Sequence, residues 1–129
     1  MKNNKKFSIF RQIKSFKYAI SGLKILFKNE HNSRIHFVAM ILAITSGIIL
    51  KISLNEWISV VFSIGIVFIT ETLNSAIESI SDFVSPEYQP LIKNTKDFSA
   101  AAVLIAACSS IIVGCIIFLP KIYNIYENI

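Results

Sequence analysis

The sequence predicts an all-α membrane protein, with an N-terminal amphipathic surface helix followed by three transmembrane helices. Of the 129 residues, 53% are hydrophobic and 16% are charged, whereas soluble domains average about 45–50% and about 25%. Three stretches without a formal charge follow a basic N-terminal segment. The length predicts a single domain over residues 1–129. The low charge argues against disorder, and the two cysteines argue against a disulfide scaffold.

The charges are divided unevenly along the chain. Up to residue 34 there are nine Lys and Arg and a single acid, a local net charge of +8, although the whole chain carries only +5. Basic segments of this kind bind either nucleic acid or the anionic lipids of a cytoplasmic membrane surface. The uncharged stretches that follow favour the membrane, so no nucleic-acid partner is expected.

The N-terminal segment, about residues 8–28, has the periodicity of an amphipathic helix. Its apolar residues recur at alternating steps of four and three, which places them in one stripe with Lys and Arg around it. They are Ile9, Ile13, Phe16, Ile20, Leu23 and Phe27. This pattern is typical of a helix that lies on anionic lipid. A soluble coiled-coil segment is the alternative.

The three uncharged stretches predict three transmembrane helices. A bilayer core needs about 20 apolar residues, and flanking Lys and Arg side chains can extend a shorter stretch by reaching to the interface. The predicted helices cover about residues 34–50, 54–82 and 97–119. The second is about 43 Å long, which exceeds the hydrocarbon core, so we expect it to continue into the cytoplasm.

Prolines and loop charges set the expected connections. Pro86 is expected to break the chain after the second span, Pro90 to keep the following loop irregular, and Pro120 to end the third helix. Thr95 or Asp97 is expected to cap the start of the third helix. The positive-inside rule predicts a cytoplasmic N-terminus and an outside C-terminus.

The second predicted helix carries a polar stripe. Four polar residues at steps of three and four lie within an arc of about 80° and extend over about 16 Å of the helix axis. They are Glu71, Asn74, Glu78 and Asp82. Glu71 directly follows 14 uncharged residues, a costly position beside hydrocarbon. Three carboxylates on one face repel one another unless basic side chains or a hard cation such as Mg²⁺ lie among them.

Charged residues from the other spans are expected at the same membrane level. Lys96 and Asp97 precede the third span, and Glu30 and Arg34 precede the first. Acids and bases gathered at one interface are what a Mg–nucleotide site requires. Two alternatives remain open from the residues alone. One is an ion path in a cation- or proton-coupled transporter or channel component; the other is a salt-bridged structural extension of the helix.

Other candidate ligands are few. His31 and His36 are five residues apart and do not share a helical face, so we interpret them as not being metal ligands. Cys108 and Cys115 are interpreted as packing residues, since a separation of about 10 Å along one helix prevents a disulfide between them. The sequence contains no phosphate-binding GxxxxGK[ST] or GxGxxG loop. Any nucleotide chemistry must therefore use carboxylates and basic residues on helices.

Three sequence blocks form a specific pattern. Glu-Thr-Leu-Asn-Ser-Ala-Ile-Glu at residues 71–78 is followed by Asp82, by Pro-Glu-Tyr at 86–88 and by Lys-Asp at 96–97. With these blocks, and over about residues 7–119, the sequence resembles the bacterial integral-membrane diacylglycerol kinases and undecaprenol kinases.

This resemblance implies an ATP- and Mg²⁺-dependent kinase that phosphorylates the hydroxyl of a membrane lipid. Diacylglycerol is the first choice of substrate and undecaprenol is a close second. The resemblance also implies a location in the bacterial cell membrane. It further implies a homotrimer whose active sites lie between subunits at the cytoplasmic interface.

The resemblance also implies roles for individual residues. Glu71 matches the general base that takes the proton from the lipid hydroxyl. Glu30 and Glu78 match the acids that hold Mg²⁺ on the ATP phosphates. Lys96 matches the base that neutralises the phosphates, and Asp97 is its nucleotide-binding neighbour. The other positions expected to line the nucleotide are Arg11, Tyr18, Glu87, Tyr88 and Gln89. The polar stripe is completed by Asn74 and Asp82.

A few positions depart from the family pattern. Gln89 stands where His is common, so the adenine end of the site is expected to differ. Ala101 stands where many members have Gly, and Asn94 and Thr95 stand where Ala is usual. None of these departures removes a carboxylate or Lys96, so the expected chemistry is unaffected.

Overall fold

The computed structural model describes residues 9–128, and within that range it contains four helices and no strand. The helices are α1 (Ile9–Asn29), α2 (His31–Ile49), α3 (Leu54–Val84) and α4 (Pro90–Glu127). The last three are long and apolar enough to cross a membrane. The fold class is thus confirmed as an all-α membrane protein. Residue 8, where the surface helix is expected to begin, lies outside the described residues.

Helix α1 contacts the rest of the chain through its C-terminal end. The apolar stripe of its first four turns is exposed, whereas Leu26 is buried. The Phe27 ring packs edge-to-face against Phe37 of α2 and Phe68 of α3, with centroids 5.3 Å and 5.8 Å away. Arg34 of α2 donates hydrogen bonds to the backbone oxygens of Phe27 (2.9 Å) and Lys28 (2.5 Å). Arg34 therefore caps the last carbonyls of α1.

The connection between α2 and α3 is a tight hairpin. Lys51 has a positive φ of 49°, and the amide of Ile52 donates to the Gly47 oxygen at 3.1 Å, as in a Schellman ending. Ser53 then caps α3. Its side chain accepts from the Glu56 amide, and the Glu56 carboxylate accepts from the Ser53 amide, which is a capping box.

Helix α4 extends beyond the predicted span at both ends. It starts at Pro90, so the predictions that Pro90 belongs to an irregular loop and that Thr95 or Asp97 caps the helix are wrong. A proline fits the first helical position, where no backbone donor is needed. The extended residue at the N-cap is Gln89. Thr95 lies inside the helix and donates to the Leu91 oxygen at 3.0 Å.

The prediction that Pro120 ends the helix is also wrong, because α4 continues to Glu127. Proline removes one backbone hydrogen bond, but contacts on both sides hold the helix. Before it, Ile117 packs in a buried cluster with Ile52 and Val60. After it, the Lys121 ammonium lies 3.2 Å from the Glu56 carboxylate.

The main packing interface joins α3 and α4, and α2 lies chiefly against α3. Helix α3 is 31 residues long, or about 46 Å, and continues beyond its uncharged stretch as predicted. The buried cluster around Val60 lies at the α2–α3 hairpin. The polar stripe lies toward the opposite end of α3, which we call the site end. Most large apolar side chains elsewhere are exposed, as expected for helices that face lipid.

Candidate active site

Glu71 is the most buried ionisable residue of the site end. It is 2% exposed and faces α2, where His36 Nε2 lies 3.1 Å from its Oε1 atom. The approach has hydrogen-bond distance but not hydrogen-bond geometry, so Oε1 has no hydrogen-bond partner among the described residues. A buried carboxylate in this condition costs stability, which is typical of a functional position.

The rest of the polar stripe is organised by neighbouring side chains. The Asn74 amide donates to Glu78 Oε1 at 3.2 Å, and Asn74 Oδ1 accepts from the Ser99 hydroxyl of α4 at 2.6 Å. Glu30, at the junction of α1 and α2, accepts from the Ser75 hydroxyl of α3 at 3.2 Å. Three helices and the α1–α2 junction thus contribute to one inner cluster: Glu30, His36, Glu71, Asn74, Ser75, Glu78 and Ser99.

The inner cluster supplies oxygen ligands. No group of three or more His, Cys, Asp or Glu side chains forms a ready-made metal site within residues 9–128. Mg²⁺ in phosphoryl-transfer sites usually takes only one or two carboxylates, together with substrate phosphates and water. Glu30 and Glu78 are half-buried and each is hydrogen-bonded to a side chain of α3, so they fit that requirement.

A polar pocket lies between the end of α3 and the start of α4. Its volume is ≈ 300 Å³. It brings together six residues that the sequence assigned to the nucleotide site or the polar stripe. They are Asp82, Glu87, Tyr88, Gln89, Lys96 and Asp97. The remaining lining residues are Ser85, Pro86, Ile92 and Lys93.

Two ion pairs set the charge of this pocket. The Lys96 ammonium donates to Asp82 Oδ1 at 2.8 Å, and Lys93 pairs with Asp97 one turn along α4. Both lysines precede the uncharged stretch of α4. The hydrogen bond to Asp82 raises the pKa of Lys96, and the hydrogen bond to Asp97 raises the pKa of Lys93. Both therefore remain cations at neutral pH, as phosphate binding requires.

Arg11 and Tyr18 are not brought to this pocket. Both lie exposed on α1, and within the described chain neither lines the pocket. Their assignment to the nucleotide stays a prediction. The inner cluster and the pocket between α3 and α4 are linked through Ser99. Its hydroxyl can donate a hydrogen bond either to Asn74 Oδ1 or to the Lys96 backbone oxygen.

The structure adds residues that the sequence interpretation missed. His36 and Ser99 contact the predicted stripe, although neither was assigned a role. For His36 the available signal was a titratable side chain inside an uncharged stretch of a predicted span, which by itself suggests function. For Ser99 there was none, because small polar residues are common in packed membrane helices.

An apolar cavity of ≈ 360 Å³ runs between α2, α3 and α4. Its walls include Met40, Val67 and Phe68, and His36 also lines it. Val67 lies one helical turn before Glu71, so the cavity approaches the buried carboxylate from the membrane side. It offers apolar space next to the inner cluster.

The sequence is similar to known proteins of one family. The sequence matches the family model for prokaryotic diacylglycerol kinase over residues 17–118. It is 37% identical over 112 residues to the undecaprenol kinase of Bacillus subtilis strain 168, covering 87% of this chain and 91% of that protein. It is 36% identical over 107 residues to the diacylglycerol kinase of Escherichia coli K12, covering 83% and 88%. Identity to the Synechocystis diacylglycerol kinase is 35% over 112 residues, covering 86% of this chain and 64% of the relative.

These matches cover most of the chain, and the family model spans the residues of the inner cluster and of the pocket between α3 and α4. They favour the enzyme over the transporter or channel component that the acidic stripe left open. The resemblance carried by residues 71–78, Asp82, 86–88 and 96–97 is thereby confirmed. The chain belongs to the prokaryotic diacylglycerol kinase family and is a lipid kinase.

Proposed function

We propose that this lipid kinase transfers the γ-phosphoryl group of Mg–ATP to the hydroxyl of a membrane lipid, with diacylglycerol as first choice and undecaprenol as second. The observation that carries the proposal is buried Glu71, which lies on α3 after Val67, a wall residue of the apolar cavity, and before Asp82, a wall residue of the charged pocket. A lipid hydroxyl and a nucleotide phosphate would meet at Glu71.

The chemistry requires few protein groups. The lipid oxygen forms a bond to the γ-phosphorus, the bond from that phosphorus to the β–γ bridging oxygen breaks, and ADP leaves. Glu71 accepts the hydroxyl proton, as a general base within hydrogen-bond reach can. Most of the remaining catalysis is positioning and charge neutralisation.

Nucleotide binding is assigned to the pocket between α3 and α4. Lys96 is the cation that neutralises the phosphates, and Asp97, Glu87, Tyr88 and Gln89 line the space around it. Asp82 holds the Lys96 ammonium in place. Arg11 and Tyr18 would reach the nucleotide from α1.

The metal role is assigned to Glu30 and Glu78. When bound there, Mg²⁺ would neutralise charge on the phosphate oxygens. Glu30 is held toward α3 by Ser75, and Glu78 is held by the Asn74 amide. Each of these hydrogen bonds is accepted by the Oε1 atom, and Oε2 would be the atom offered to the metal.

The lipid tails are assigned to the apolar space between the helices. The cavity lined by Val67 and Phe68 supports this assignment, because it is apolar and ends near Glu71. The identities of the relatives do not separate the two substrates, at 37% for the undecaprenol kinase and 36% for the Escherichia coli diacylglycerol kinase.

The orientation and assembly are also part of the proposal. The +8 N-terminal segment supports a cytoplasmic N-terminus by the positive-inside rule, with the site end of α3 on the same side and the C-terminus outside, in a bacterial cell membrane. A homotrimer with shared active sites would cover part of the exposed apolar surface of the helices.

One assay tests the activity. The purified protein in mixed micelles is supplied with ATP labelled at the γ-phosphate, with Mg²⁺ or with EDTA, and with either 1,2-diacylglycerol or undecaprenol. We expect label in the phosphorylated lipid only when Mg²⁺ is present, and the larger kcat/KM identifies the preferred lipid. Absence of transfer to both lipids with Mg²⁺ present would exclude the proposed function.

A further inference from the structure

The contact between His36 and Glu71 joins two helices across the inner cluster. His36 Nε2 lies 3.1 Å from Glu71 Oε1, and the exposed fractions of the two side chains are 21% and 3%. Oε1 has no hydrogen-bond partner of good geometry among the described residues. Catalytic hydrogen bonds are often poorly aligned before substrate binds and tighten afterwards. The imidazole therefore stands where it can become the donor to this oxygen.

The other charged residues of the inner cluster cannot donate a hydrogen bond to Glu71 Oε1. The other ionisable residues of the inner cluster are Glu30 and Glu78, whose carboxylates accept hydrogen bonds from Ser75 and Asn74. Carboxylates at neutral pH accept hydrogen bonds and do not donate them. A neutral imidazole with its proton on Nε2 can donate to Oε1.

We propose that His36 is a positioning residue for Glu71. Its Nε2–H group holds Oε1, so that the second carboxylate oxygen, Oε2, is directed at the hydroxyl of the lipid and accepts its proton. The inference rests on the proposed function, because it concerns how the base of that reaction is oriented. His36 acts through Glu71 and forms no bond to the substrate.

The location of His36 supports this role. Its side chain lines the apolar cavity together with Val67, which lies one turn before Glu71 on α3. The imidazole thus lies next to the carboxylate and also lines the space assigned to the lipid. A base placed at the end of an apolar cavity needs a fixed orientation, since a misplacement of about 1 Å can cost about 100-fold in rate.

The first test is a pair of substitutions at residue 36. His36→Leu removes the donor and keeps a side chain of moderate size, and we expect kcat to fall about 10–100-fold with the KM for ATP unchanged, which is the loss of one hydrogen bond to a charged group. His36→Gln keeps an N–H donor and is expected to recover most of the rate. His31→Leu, a matched change at an exposed histidine five residues earlier, is expected to leave kcat at the wild-type value.

The second test asks whether His36 acts through Glu71. In a Glu71→Gln background, His36→Leu is expected to cause no further loss, because coupled residues are not additive. An unchanged kcat in His36→Leu, an equal loss in His36→Gln, or a full additional loss in the double variant would each overturn the proposal. An unchanged KM for ATP shows that the variants are folded. A wild-type protein inactive on both lipids would instead refute the proposed function itself.

Discussion

The two ends of helix α3 differ in how completely their polar side chains are hydrogen-bonded. At its N-terminal end, next to the α2–α3 hairpin and called here the hairpin end, Ser53 and Glu56 form a capping box, and Lys121 makes an ion pair with Glu56. At the site end, buried Glu71 keeps an oxygen without a well-formed hydrogen bond. The same helix therefore has one end whose polar groups are satisfied locally and one end whose acids are left partly free.

This difference indicates what each end is for. A buried polar atom without a partner lowers stability, so it persists where a ligand or a reaction uses it. Lys96 and Asp82 pair at the rim of a pocket, and among the described residues Glu30 and Glu78 each have one hydrogen-bond partner. The hairpin end stabilises the bundle, and the site end is arranged to receive substrates.

The largest expected effect is a loss of kcat when the buried acid of the site end is replaced, compared with the same replacement at the hairpin end. Glu71→Gln is expected to lower kcat by about 10²–10⁴-fold, because a general base contributes that much, while ATP binding stays close to that of the wild type. Steady-state phosphoryl transfer in mixed micelles measures the rate, and ATP titration measures binding.

Glu56→Gln is the matched control for that experiment. It makes the identical chemical change at the other end of α3, where only the capping box and the pair with Lys121 are affected. We expect the wild-type rate. An equal loss of rate in both variants would show that the two ends do not differ in function.

A smaller effect is expected from overpacking the hairpin end. A Cβ atom on Gly47 would lie 2.8 Å from Trp57 Cη2 and 3.0 Å from Ile52 Cδ1. The indole ring is rigid, so Gly47→Ala is expected to lower the free energy of unfolding by about 1–3 kcal/mol. Denaturant unfolding in micelles, followed by circular dichroism, measures this change in the free energy of unfolding. The kcat per folded molecule is expected to stay at the wild-type value.

Gly65→Ala provides the control for the hairpin. Nothing lies within 4 Å of a Cβ atom placed there, and alanine favours a helix more than glycine does. We therefore expect no loss of stability. If Gly47→Ala proves as stable as Gly65→Ala, the hairpin is packed less closely than the Gly47–Trp57 contact indicates.

The sequence was sufficient to predict what depends on one helix alone. Periodicity and uncharged length predicted α3 over about residues 54–82, close to its observed Leu54–Val84. The spacing of Asn74 and Glu78 predicted a shared face, and their side chains are hydrogen-bonded. Both properties follow from the 3.6-residue turn.

Features that depend on contacts between helices were harder to predict. His36 and Glu71 are 35 positions apart, and no periodicity within α2 tells which of its faces meets α3. Pro120 lacks a backbone donor in any context, yet the packing of Ile117 and the pair of Lys121 with Glu56 keep the helix continuous. Tertiary contacts here outweigh the local preference of proline.

The smallest expected effect concerns the turn that closes the hairpin. Lys51 has a φ of 49°, in the left-handed region that costs a non-glycine residue roughly 1–2 kcal/mol. Its amide donates to the Ile48 oxygen at 3.3 Å, so the backbone is committed to this conformation. Lys51→Gly removes the strain but adds freedom to the unfolded chain, and we expect a net gain in the free energy of unfolding of up to about 1 kcal/mol.

Lys51→Ala separates the backbone from the charge, because it removes the ammonium group and retains the Cβ atom. Only the glycine variant should gain stability in the micelle unfolding experiment, and both should keep the wild-type rate of phosphoryl transfer. A gain in the alanine variant equal to that of the glycine variant would assign the effect to the lysine charge. The hairpin end would then be limited by electrostatics and not by the backbone conformation of its turn.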